Sequence, residues 1–201
     1  MDTYVSCDLM GGLGNQFFQI MTTIAYAIRY NRRVAFPFKE LLYCHRNRPT
    51  YWNSLFDGIK DITVNNKDHG FTNDDLNKFP CYRYNNILYK EIPLFPNTNL
   101  ILMGYFQSYK YFENEADEIL KRMNIDIHQH TVSNEFSELL KGNTVSMHFR
   151  LGDYVPLQHY HPVMPAKYYE NALQYILKVR GGPLNIPVSY THLTLPTNRE
   201  V

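Results

Sequence analysis

The feature that most constrains this chain is a strand, turn and helix unit at its start. Residues 3–9 are apolar-rich and read as a strand, followed by the turn Met10-Gly11-Gly12-Leu13-Gly14-Asn15-Gln16. Beyond it Phe17, Ile20, Met21, Ile24, Ala25 and Ile28 recur at i, i+3, i+4, i+7, i+8 and i+11, the spacing of one buried helical face. A glycine turn feeding a helix N-terminus turns backbone N–H groups and the positive end of the helix dipole toward an anion. Taken alone it reads equally well as a tight connection with no ligand. Phe17 stands where Gly-x-Gly-x-x-Gly would place its third glycine, and about twenty residues beyond Gly14 the chain reads Val34-Ala35-Phe36, without the acidic residue a dinucleotide site needs. An NAD-type oxidoreductase is therefore disfavoured.

A second informative stretch is residues 144–154. Val145, Met147 and Phe149 alternate with Ser146, His148 and Arg150, the pattern of a short buried strand, until Gly152 and Asp153 break it into a loop. A period of two sends His148 and Arg150 off the same side. In open α/β sheets ligands collect at the carboxyl ends of strands. There an arginine offers paired donors and a permanent charge to a phosphate, and His148 can add a donor. Asp153 cannot face phosphate favourably and reads as orienting His148, Arg150 or the loop. The competing reading is that His148 and Arg150 satisfy buried backbone groups.

Between these stretches, residues 34–38 and 100–103 read as strands, and residues 39–99 as loops with a short strand or two. Ser108 reads as the N-cap of a helix burying Phe112, Ala116, Ile119, Leu120 and Met123. Residues 133–141 read as a short helix ended by Gly142-Asn143. Pro165 opens a further helix with Tyr168, Ala172, Leu173 and Ile176 on one side, stopped by Gly181-Gly182-Pro183. Strands alternating with helices predict an α/β protein with mainly parallel sheets.

Composition removes several classes. With a net charge of +1 over 201 residues, nothing suggests a nucleic-acid partner, and no apolar run reaches membrane length. Cys7, Cys44 and Cys81 are odd in number and far apart, which argues against a disulfide framework and fits a cytoplasmic setting, at most peripheral to a membrane. His128, His130, His159 and His161 form two i, i+2 pairs without a ligand partner at metal spacing, and no Asp-x-Asp occurs, so no metal is expected.

Four blocks, in order, resemble the α-1,2-fucosyltransferase family (glycosyltransferase family 11). They are Gly11-Gly12-Leu13-Gly14-Asn15-Gln16-Phe17-Phe18-Gln19, the run from Gly104 to Phe112, His148-Phe149-Arg150-Leu151-Gly152-Asp153-Tyr154, and Pro162-Val163 followed by Tyr168-Tyr169. The family carries a second arginine where this chain has Leu151. The resemblance implies a GT-B-like α/β fold of two Rossmann-like domains, residues 1–143 and a truncated second domain from 144 to 187. It implies transfer of fucose from GDP-fucose to the 2-hydroxyl of a galactoside glycan, with inversion and without cofactor. Arg150, His148 and Asp153 would be catalytic; Gly12, Gly14, Asn15, Gln16 and Arg150 would bind the donor. A related O-fucosyltransferase, or a chain that binds nucleotide or glycan without chemistry, is the alternative. Residues 188–201 resemble a translated sequencing-library adapter and are set aside as a non-native tail, although Val188-Ser189-Tyr190-Thr191 is also β-prone.

Overall fold

A computed structural model describes residues 3–43 and 47–190, excepting the side chains of His69 and Asp153. The chain divides into two compact units, Met1–Gln129 and His130–Val201.

In the first unit, β1 (Tyr4–Cys7) leads into α1 (Leu13–Arg29) and then β2 (Arg33–Val34). A small antiparallel pair follows, β3 (Leu41–Leu42) with β4 (Arg48–Pro49). Next come α2 (Asn73–Leu76), β5 (Cys81–Arg83), β6 (Leu100–Met103) and α3 (Ala116–Arg122). The main sheet has the order β2-β1-β6-β5 and is parallel throughout, with Tyr4 opposite Arg33, Cys7 opposite Leu102 and Cys81 opposite Ile101. This is a mixed α/β architecture with a parallel, Rossmann-like sheet.

Parallel sheets need cover on both faces, so their central strands read as near-continuous apolar runs. β1 is buried at every position and β6 at its first three. Successive side chains point to opposite faces. Val5, Cys7, Leu100 and Leu102 join the main core with Ile20, Met21 and Ile24 of α1. Tyr4 and Ala35 join a smaller cluster with Leu76.

Residues 39–99 hold more structure than their sequence suggested. Two 3-10 turns, Asp57–Ile62 and Lys67–His69, fold the segment back, and Trp52, Phe56 and Ile59 enter the main core. Their spacing fits neither a helix nor a strand period, because turns rather than a regular element bring them together.

Ser108 does not cap a long helix. Its side chain makes no capping bond; a 3-10 turn at Tyr109–Tyr111 follows, and α3 begins only at Ala116. Phe106 lies at φ 47, and Ser108 N donates to Phe106 O at 2.7 Å, which closes a tight turn just before the position where the helix was expected to open.

The expected helix at 133–141 is also displaced. The helix is α4 (Ile125–Glu135), and 136–140 form turns. No residue of α4 is buried, so no apolar face marked its bounds.

In the second unit, β7 (Met147–Phe149) pairs in parallel with β8 (Val188–Tyr190) across α5 (Ala166–Arg180). The ladder begins earlier, where Asn185 N donates to Asn143 O at 2.8 Å. β7 is not the buried strand that alternation predicts: Met147 and Phe149 are half-buried and His148 is exposed. A two-stranded sheet under one helix cannot enclose it. Residues 188–190, set aside on sequence, are β8 itself; residues 191–201 lie outside the described residues.

Candidate functional site

The glycine turn sits at the carboxyl end of β1 and opens α1. Gly12 is the N-cap, at φ -81, and no side chain caps the helix. The three glycines differ in what they require. Gly11 lies at φ +77, where side chains are strained, and a Cβ there would strike the Asn15 amide. Gly12 and Gly14 lie outside that region, and a Cβ on either would meet nothing within 4 Å. Packing within the chain does not demand their lack of a side chain.

Asn15 is half-buried, and its Oδ1 accepts from Gln107 Nε2 at 2.7 Å. Gln16 differs from its expected place. It is fully buried, and its Nε2 donates to Gly11 O at 3.1 Å and Pro49 O at 2.9 Å. Gln16 therefore braces the turn from behind through its Nε2, while its buried Oε1 has no hydrogen-bond partner among the described residues.

Gln19, which the sequence reading passed over, does the same from the next turn of α1. Its amide accepts from Met10 N at 2.9 Å and donates to Met10 O at 3.3 Å. The legible signal was a pair of glutamines at i, i+3 directly behind a glycine turn, which places both on one helix face. Gln107 was missed because its block read as helix capping and core.

In the second unit, His148 lies at the middle of β7 and Arg150 directly after it, each with a defined neighbour. His148 Nδ1 lies 2.9 Å from Ser189 Oγ, directly across the ladder. Tyr169 Oη donates to the backbone carbonyl of His148 at 3.3 Å, and the Tyr169 ring lies 4.4 Å from that of Phe149. The Arg150 guanidinium lies over the Tyr154 ring, 4.4 Å from its centroid, and Tyr154 stacks on His161 at 4.5 Å and 18°. Cation–π contact orients the guanidinium without removing its charge. The side chain of Asp153 lies outside the described residues, so its expected role has no geometry here. Leu151, in place of a second arginine, is exposed.

Among the described residues no three His, Cys, Asp or Glu side chains group as metal ligands. No helix among them is long and apolar enough to cross a membrane.

The first unit is thus an α/β domain with a glycine-lined helix N-terminus at the end of its central strand. Over 96 residues the chain is 34% identical to the O-antigen biosynthesis glycosyltransferase WbnK of Escherichia coli, a stretch amounting to 44% of this chain and 32% of that protein. The chain matches only about a third of that relative's length. No family model matches the chain, and no solved structure matches it.

Proposed function

We propose that the chain is part of a glycosyltransferase, and specifically of a galactoside 2-α-L-fucosyltransferase using GDP-fucose. The observation that carries this reading is the turn before α1, with Gly12 and Gly14 bare toward open space at an uncapped helix N-terminus. Such a site suits the close approach of a diphosphate. The likeness to an O-antigen glycosyltransferase supports sugar transfer in general. The fucosyl donor and the galactoside acceptor rest on the four sequence blocks.

In this reading Arg150 and His148 stabilise charge growing on the departing phosphate as the sugar becomes oxocarbenium-like. The acceptor 2-hydroxyl attacks the anomeric carbon from the opposite face, its proton passing to a base for which His148 and Asp153 are candidates. Transfer inverts the anomeric centre and needs no cofactor.

Leu151 favours a second reading, binding without transfer, because one cation of the family's pair is missing. Calorimetric titration with GDP-fucose, paired with a transfer assay on methyl β-galactopyranoside, separates the readings. The transfer reading expects saturable binding, lost in Arg150→Ala, and formation of a fucosylated product. Binding without product favours the second reading; undiminished binding in Arg150→Ala removes the phosphate role from that residue.

A further inference from the structure

The face of the main sheet opposite α1 carries a crevice of about 150 Å³ that the transfer reading does not use. Its floor is the outer side of β1 and β6, with Ser6, Ile101 and Met103. Leu76 and Phe79 wall one side. The rim carries Asp8, Lys39, Asn77 and Cys81.

Two observations mark it as more than a packing gap. Ser6 is 1% exposed, yet its Oγ has no hydrogen-bond partner among the described residues. A buried hydroxyl left unmet is costly unless something outside the chain satisfies it. The side chains of Asp8, Lys39 and Asn77 are exposed or rim-lying, and none forms a hydrogen bond or ion pair with another described residue. By contrast Asn73, on the same rim, is fixed by paired bonds to the backbone of Phe38 at 2.9 and 3.0 Å.

The chemistry of the rim selects the ligand. Asp8 and Lys39 have opposite charges, so the crevice offers no net attraction to an anion, and the Asp8 carboxylate repels one. A carboxylate accepts from paired hydroxyls, an amide both donates and accepts, and an ammonium donates. Phe79 and Met103 offer an apolar surface beside them, the mixture that binds a small polar molecule in a fixed orientation.

We propose that this crevice holds one neutral pyranose ring, and that the ring belongs to the acceptor glycan. The acceptor assignment rests on the transfer reading; the pyranose site does not. Asp8 and Asn77 hold ring hydroxyls, Lys39 donates to a third oxygen, and the carbon face of the sugar lies toward Phe79.

Cys81 provides a reporter. It is exposed on the rim, whereas burial pushes the Cys7 thiol up to about 12 and leaves it inert at neutral pH. The test follows iodoacetamide alkylation of the Cys81 peptide by mass spectrometry while methyl β-galactopyranoside is titrated into the full chain. Saturable protection of Cys81 is expected. Asp8→Asn should raise the half-protecting concentration about tenfold and Asn77→Ala about fivefold, as loss of a charged and a neutral hydrogen bond requires.

Absence of protection overturns the proposal. Equal protection by mannitol, an open-chain polyol, overturns the pyranose assignment, and protection unchanged in both variants places the sugar elsewhere. GDP-fucose titration of the same samples keeps the two readings apart. Lost nucleotide binding with retained Cys81 protection sinks the transfer reading alone, and the converse sinks the crevice alone.

Discussion

At the residue scale, the three glycines of the turn separate a folding requirement from a binding requirement. Gly11 is needed by the backbone, since φ +77 and the approach of Asn15 both exclude a Cβ. Gly11→Ala should cost about 1–3 kcal/mol and lower the urea midpoint accordingly. Gly14 lies within the first turn of α1 with open space beside it. Gly14→Ala should therefore stabilise the helix by about 0.5–1 kcal/mol, the usual gain of alanine over glycine. The same substitution should weaken GDP-fucose binding, because a methyl would stand where the donor approaches. Urea titration and calorimetry on the two variants give opposite orders for stability and affinity. If Gly14→Ala binds GDP-fucose as the parent does, the bare turn is not a ligand surface.

At the element scale, α1 is less one-sided than its apolar stripe suggested. Ile20, Met21, Ile24 and Ala25 are buried as the period required, but so are Gln16, Gln19, Thr22 and Thr23, while Ile28 is exposed. A helix buried nearly all round must satisfy its polar side chains internally. Gln19 does so through both amide atoms, and Gln16 through its Nε2 alone, while Gln16 Oε1 and the Thr22 hydroxyl meet no partner among the described residues. Both glutamines hold the glycine turn, which joins the element's packing to its function. Gln16→Ala should cost about 2–4 kcal/mol, combining a cavity with two unmet carbonyls; a loss below about 0.5 kcal/mol in urea would mean that the turn holds itself. Elements with a strong period were legible: residues 100–103 form β6 as read, and α1 carries the expected stripe, although it opens at Leu13, inside the run read as the turn. β5, three residues long, and α4, without a buried face, carry no such period and were not. In the second unit, the strand that holds His148 and leads to Arg150 was legible because strand alternation is local. Their neighbours were not: Ser189 lies 41 residues from His148 and Gln107 lies 92 from Asn15, pairings that only the fold creates.

At the scale of the whole molecule, burial is distributed very unevenly. Every buried hydrophobic side chain among the described residues lies between Tyr4 and Met123. In the second unit α5 buries none, and its inward residues Tyr169, Ala172, Leu173 and Ile176 are only half-covered. Tyr168, Tyr175 and Val179 face outward, as does each residue of β8. Full burial of a large apolar side chain contributes about 1.5–3 kcal/mol, against roughly 1–2 kcal/mol for ordering each residue's backbone. The second unit thus lacks the favourable term that fixes the first. Its hydrogen bonds cannot compensate, since a net bond contributes only about 0.5–1.5 kcal/mol and these are open to water. Amide exchange on the full chain should show β7 and α5 opening with free energies at least about 3 kcal/mol below those of β1, β6 and α1, roughly a hundredfold in rate. Limited proteolysis should cut first within residues 136–165, leaving the first unit intact. Protection in β7 equal to that in β1 would show that the second unit is held by cover its described residues do not supply. In that case the exposed faces of α5 and β8 would be contact surfaces in solution rather than the signs of a weak fold.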